Sequence, residues 1–135
     1  MSQEMKNKIR ADFPRIFKNS IPIETGSGWL DLIYKLCSEL EEECKRQGRT
    51  NEQWIHASQI KEKFGQLRFY YRSTGEVEDG NLFKISMNYM DKSAEICETC
   101  GLKGEMRDDN DYYHVCCDTC HTAYLEERER FSNDC

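Results

Sequence analysis

Four cysteines in the pattern C-x2-C-x16-C-x2-C, namely Cys97, Cys100, Cys117 and Cys120, constrain this chain more than any other feature. A C-x2-C turn lets two thiolates converge from one tight bend, and the backbone amides of that bend can hydrogen-bond the sulfurs. Two such turns complete the four-sulfur tetrahedron of a closed structural zinc site. Between them the residues read as a hairpin, Glu105–Arg107, a DDND turn and Tyr112–Cys116, and HTAYLEERERF beyond has the composition of a helix. Knuckle, hairpin, and knuckle at a helix start describe a treble-clef or zinc-ribbon finger. A helix beginning at Cys117 and Cys120 would also favour their thiolate forms. Cys116 leaves the register open, because it could pair with Cys120 instead. Cys117 is preferred, since it repeats the C-x2-C of the first turn. His114 and His121 are the spare nitrogens, read as packed or solvated side chains rather than ligands.

Eight cysteines can also mark a secreted disulfide scaffold. Here the opening residues, MSQEMKNKIRADF, lack the apolar stretch of an export signal, and five of the eight cysteines fall within 24 residues as CETC and CCDTC. That pattern favours metal over disulfides. Cys37 and Cys44 fall at helical spacing and read as small buried hydrophobes, while Cys135 lies apart. No apolar run is long enough to span a bilayer. The expectation is a cytoplasmic protein without a membrane partner.

The rest of the chain reads as an α+β arrangement of one compact unit, with a helix/strand core over residues 1–96 and the finger, 97–135, packed on it. Met5, Ile9, Phe13 and Ile16/Phe17 predict a helix over the first 18 residues, which Pro14 breaks or kinks unless it opens a short turn. IPIETGSG is a loop, with Ser27 able to cap a helix whose apolar stripe is Trp29, Leu32/Ile33, Leu36/Cys37, Leu40 and Cys44 and whose end is Gly48. In LRFYYR the period changes to two. Leu67, Phe69 and Tyr71 face the core, and Arg68, Tyr70 and Arg72 face away. Gly65 makes a tight entry to this strand, and IHASQI is its candidate hairpin partner. TGEVEDGN is a turn-rich loop, and Ile85, Tyr89 and Ile96, with Phe83 and Met90 beside them, predict a helix leading into Cys97.

The run GWLDLIYKLCSELEE, then IKEKFGQLRFYYRS, then the helix into CETCGLKGEMR and CCDTCH, resembles a family of small, largely uncharacterised zinc-finger proteins of phages, prophages and bacteria. The resemblance spans about residues 28–121, and KEKFGQLRFYY and the two knuckles are its most specific parts. It implies a phage or bacterial intracellular protein and supplies no activity. CCDTCH is also similar to the closing knuckle of zinc-containing HNH nucleases. Those need an acidic or histidine step before the catalytic histidine, and His114 in YYHVCC has none.

Charge separates the functional readings. The net charge is −6, and residues 81–135 hold six Lys/Arg against twelve Asp/Glu, so the acidity lies in the C-terminal part. An acidic total argues against nonspecific binding to a phosphate backbone. The first reading is therefore a protein-interaction module that binds a host or phage protein, such as a host-defence or nucleic-acid-processing factor. Its acidic faces would be Asp108, Asp109, Asp111 and the Glu126–Glu129 run. The second is nucleic-acid binding by the basic stretch 45–72, seven Lys/Arg against two Glu, with Lys61, Lys63, Arg68, Tyr70 and Arg72 as the binding residues. An enzyme is not expected. Four cysteines leave zinc no open position, Glu62 or Asp31 with His56 makes no convincing catalytic pair, and the GSG near residue 26 is too short for a phosphate loop.

Overall fold

The computed structural model describes residues 2–73, 80–109 and 112–133. Most of the TGEVEDGN loop, the centre of the DDND turn and Cys135 lie outside the described residues. The elements run α1 (Ser2–Asp12), β1 (Ile23–Glu24), α2 (Leu30–Arg46), β2 (His56–Lys63), β3 (Gln66–Arg72), α3 (Gly80–Lys92), β4 (Glu105–Asp109), β5 (Tyr112–Cys116) and α4 (Asp118–Asn133). No described helix is long and apolar enough to cross a membrane.

The first helix is shorter than its apolar spacing predicts. Proline disfavours helical geometry in the residue before it, and α1 stops at Asp12, two residues ahead of Pro14. A turn held by the Phe17 amide donating to the Phe13 carbonyl (3.1 Å) then keeps Phe13, Ile16 and Phe17 on the buried side with Ile9. The end of α2 follows the expected rule. Gly48 takes a positive φ of 67°, its amide donates to Lys45 and that of Arg49 to Cys44, which together close the helix in a Schellman motif. The start does not follow it. Ser27–Trp29 form a turn of 3-10 helix, and the Ser27 hydroxyl donates to the Thr99 carbonyl (3.1 Å) instead of capping α2.

β2 and β3 form the expected hairpin, with Lys63 opposite Gln66 and both turn residues, Phe64 and Gly65, at positive φ (53° and 77°). That is the pattern of the tight turn whose twist matches paired strands. β1 adds a parallel pair, Ile23 opposite Ile60, giving the order β1-β2-β3. Ile60, Leu67 and Phe69 are buried on one face of this sheet, and Tyr71 is half-buried beside them. They share a single cluster with the α2 stripe (Trp29, Ile33, Leu36, Cys37, Leu40, Cys44) and with Leu82, Tyr89 and Met90 of α3. Burial first, and then the charge of Glu41, pushes the Cys37 thiol up, as suits a thiol that packs as a hydrophobe. Phe83, by contrast, is 59% exposed, on the face of α3 turned away from the core.

Phe69 is 1% exposed, in the middle of β3. Phe69→Ala is expected to destabilise the protein by about 3–5 kcal/mol, the cost of emptying a buried aromatic site. A chemical-denaturation midpoint unchanged from the parent would contradict the assigned face.

Candidate metal centre

The chain reaches the cysteines through a 3-10 turn (Ser93–Glu95) after α3. Ile96 pairs with Lys103, the Cys97 amide donates to the Leu102 carbonyl (2.7 Å) and the Gly101 amide to the Cys97 carbonyl (2.9 Å), so residues 97–101 close a tight loop. Gly101 sits at φ 83°, backbone that side-chain-bearing residues rarely adopt. β4 and β5 then carry the chain out and back, from Glu105 opposite Cys116 to Asp109 opposite Tyr112. Cys117 directly precedes α4 and Cys120 lies in its first turn, where its amide lies 3.5 Å from the Cys117 sulfur and can donate to it. Knuckle, hairpin and helix make a zinc-ribbon-like finger at the end of a mixed α/β chain.

The Sγ atoms of Cys97, Cys100, Cys117 and Cys120 all lie within 4.8 Å of one another. A zinc ion bonded to four sulfurs at about 2.3 Å requires S···S edges of about 3.8 Å. The Cys100–Cys117 edge measures 3.6 Å. Four thiols at this spacing could hold a metal ion, and an all-sulfur tetrahedral set fits zinc best. Cys116 is not in the cluster. Its buried sulfur faces the His114 ring, with Nδ1 at 3.7 Å. His114 in turn packs at a tilt against Tyr124, with ring centroids 4.7 Å apart, and His121 lies against the Arg107 guanidinium, 3.2 Å from Nδ1. The structure therefore brings together the C-x2-C pair at Cys117, and both histidines have other neighbours.

The electrostatics suit a cation. Burial works against ionising Cys97, but the amides of Cys100, Cys117 and Thr99 outweigh it and bring its pKa down to about 6. Cys120 moves the other way, raised first by burial and then by hydrogen bonds with the Cys117, Cys97 and Cys100 thiols. Protein groups alone thus favour the thiolate at Cys97 and disfavour it at Cys100 and Cys120. A divalent ion is what allows all four sulfurs to ionise together.

Two features of this centre were not legible beforehand. Arg107 reads in sequence as one more strand residue, yet it links β4 to the start of α4. It donates to Asp118 (2.7 Å) and to the Cys116 carbonyl (3.2 Å), and its guanidinium lies 3.4 Å from Glu105. The second is the TGSGW loop. The Gly28 amide donates to the Glu98 carbonyl (2.7 Å), the Gly26 amide to the Glu98 carboxylate (2.8 Å), and the Trp29 indole to the Ile96 carbonyl (2.8 Å). With the Ser27–Thr99 bond, these contacts fasten the first knuckle to the start of α2. A methyl group on Gly28 would sit 2.1 Å from the Cys97 carbonyl oxygen, so only glycine fits. A G-S-G run, Gly26–Gly28, before a buried tryptophan is the signal for this close approach.

The remaining candidate residues are elsewhere. Lys61 and Lys63 on β2, with Arg68, Tyr70 and Arg72 on β3, lie on the sheet away from the cysteines. Asp31 is paired with Lys35 (3.1 Å), and Glu62 accepts the Gly65 amide (2.7 Å). Glu62 and His56 are six residues apart along β2, which at strand rise is about 20 Å. Asp108, Glu126 and Glu127 are exposed; the side chains of Asp109, Asp111 and Glu129 lie outside the described residues. No family model matches the chain, and neither does any curated protein or solved structure.

Protein purified without added metal is expected to contain about one zinc per chain by elemental analysis. Serine at Cys97, Cys100, Cys117 or Cys120 should abolish retention, because metal binding supplies the folding energy of a finger with so few apolar residues. Cys116→Ser should keep the metal. Loss of zinc in Cys116→Ser alone would show that the ligand register is wrong.

Proposed function

We propose that the chain is a protein-interaction module whose finger is held by one structural zinc ion, and that it performs no catalysis. Four thiolates fill a tetrahedral coordination sphere and leave no position for water or substrate. On the resemblance of its knuckles and KEKFGQLRFYY segment, it is encoded by a phage or bacterium and works in the cytoplasm. Its partner is a host or phage protein, such as a defence or nucleic-acid-processing factor that it inhibits or modulates.

The observation that carries this reading is an apolar patch built jointly by the core and the finger. Phe64, at the tip of the β2–β3 hairpin, is 65% exposed. It lies edge-on to Tyr113 of β5, with ring centroids 6.4 Å apart, and Met106 of β4 packs over Gly65, so close that a methyl there would meet its sulfur at 2.4 Å. Met106 and Tyr113 are themselves 44% and 40% exposed. Three large apolar side chains left open on two adjoining hairpins are a feature of protein-binding surfaces. Phe64 also holds a positive φ of 53°, a conformation that costs an aromatic residue energy and that asparagine or glycine would relieve. Because one half of the patch rides on the finger, the metal ion would govern its shape.

Affinity purification of the tagged protein from its host, with nuclease treatment, is expected to recover a defined protein partner at near-equal stoichiometry. Phe64→Ser with Tyr113→Ser should lose that partner by at least about tenfold while retaining zinc and the parent melting temperature. Equal recovery by parent and double variant would refute the patch as the docking surface.

A further inference from the structure

The solvent face of the three-stranded sheet carries a row of cations, and it adjoins the apolar patch at Lys63, whose Nζ lies over the Phe64 ring, 5.8 Å from its centroid. Lys61 stands directly opposite Arg68 across the β2–β3 pair, and His56 stands opposite Arg72. The like charges of Lys61 and Arg68, directly across the strand pair, work against it. Among the described residues, Lys61, Lys63, Arg68 and Arg72 enter no ion pair. Glu24, beside Lys61 on β1, is the one carboxylate placed at this face by the strand register, and it does not close onto a cation. The Nε of Arg68 is buried without a hydrogen-bond acceptor. At the far end the pKa of His56 is lowered, first by burial and then by the charges of Lys18 and Arg72, so cationic groups crowd there too.

Between these cations lies Tyr70, opposite Gln59, with 44% of its surface exposed. Arg68, Tyr70 and Arg72 alternate along one face of β3, placing a ring between two guanidinium groups. From Gln66 to Arg72 the strand runs seven residues, a span of about 20 Å at strand rise. That is enough for the shorter sites, about four nucleotides, of surfaces that combine charge with base stacking. The acidic surplus of the chain lies in residues 81–135, outside this sheet.

We infer that this face binds single-stranded nucleic acid, with Lys61, Lys63, Arg68 and Arg72 meeting successive phosphates and Tyr70 stacking on a base. A duplex offers phosphates but no open base face to Tyr70. An acidic peptide or a lipid headgroup offers charge without a ring to stack. The surface meets the Phe64–Met106–Tyr113 patch at Lys63, whereas Arg68, Tyr70 and Arg72 lie along β3, so variants at those three residues test the inference separately from the protein-partner reading.

Fluorescence anisotropy with labelled single-stranded DNA and RNA 12-mers, across a salt series, tests it. The zinc-loaded protein should bind single strands more tightly than the matching duplex. With about four phosphates engaged, log K should fall with log salt at a slope of about −3. Arg68→Gln with Arg72→Gln should lower affinity at least about tenfold and roughly halve that slope. Tyr70→Leu should lower affinity at least about fivefold and leave the slope unchanged, separating stacking from charge. Both variants are to be checked for the parent melting temperature and zinc content. If the glutamine pair fails to fold, Lys61→Gln with Arg72→Gln serves the same purpose. No binding at 25 mM salt, a duplex preference, affinity unaltered in the charge variants, or equal competition by polyglutamate or phosphatidylserine vesicles would each overturn the proposal.

Discussion

The contact between the Gly26–Trp29 turn and the first cysteine knuckle governs the rest of this molecule. Four hydrogen bonds join residues 26–29 to residues 96–99. Trp29, fully buried in the core cluster, contributes one of them through its indole nitrogen. The same tryptophan anchors the start of α2 and ties down the chain entering Cys97. The second knuckle reaches this joint indirectly, because the Glu98 amide donates to the Val115 carbonyl (3.0 Å) on the strand leading into Cys116 and Cys117. A metal ion drawing the four sulfurs together would therefore tighten the joint from its far side, and the hydrophobic core holds its near side.

This arrangement explains how a finger with few buried residues stays in register with the sheet. Gly104 donates to the Glu95 carbonyl (2.8 Å), and Val115, 1% exposed, belongs to the main core cluster. Met106 meanwhile closes over Gly65 at the tip of the other hairpin. The two hairpins thus touch at one end while the charged face of β2 and β3 remains open. The apolar patch and the cationic face adjoin at Lys63 over Phe64, and one chain can present both without either surface compromising the core.

Much of this was readable from residues alone. The periodicity of α2, the alternation in LRFYYR and the spacing of the four cysteines each depend on local chemistry, and local chemistry is what a sequence displays. Cys117 was preferred over Cys116 on repetition of spacing, and the geometry turns Cys116 toward His114 instead. The misreadings share a cause. Ser27 reads as a helix cap because caps are local, but its hydroxyl serves a carbonyl 72 positions away. Gly26 and Gly28 were read as loop residues because nothing nearby in sequence announces the Cys97 and Glu98 carbonyls that crowd them. Arg107 is informative only once Asp118 is seen beside it. Long-range approach of one backbone to another leaves only small residues as its trace, and small residues have many other uses.

A metal ion held by the four sulfurs would act, with the hydrophobic core, through the joint at Gly28 and Glu98. Amide hydrogen exchange before and after metal removal by a strong chelator tests it most directly. The account predicts that the amides of Gly26 and Gly28 lose protection together with those of Cys97, Glu98 and Gly104, while Leu36, Leu40, Ile60 and Phe69 keep theirs. Protection at Gly26 and Gly28 that persists while the finger amides exchange freely would contradict it.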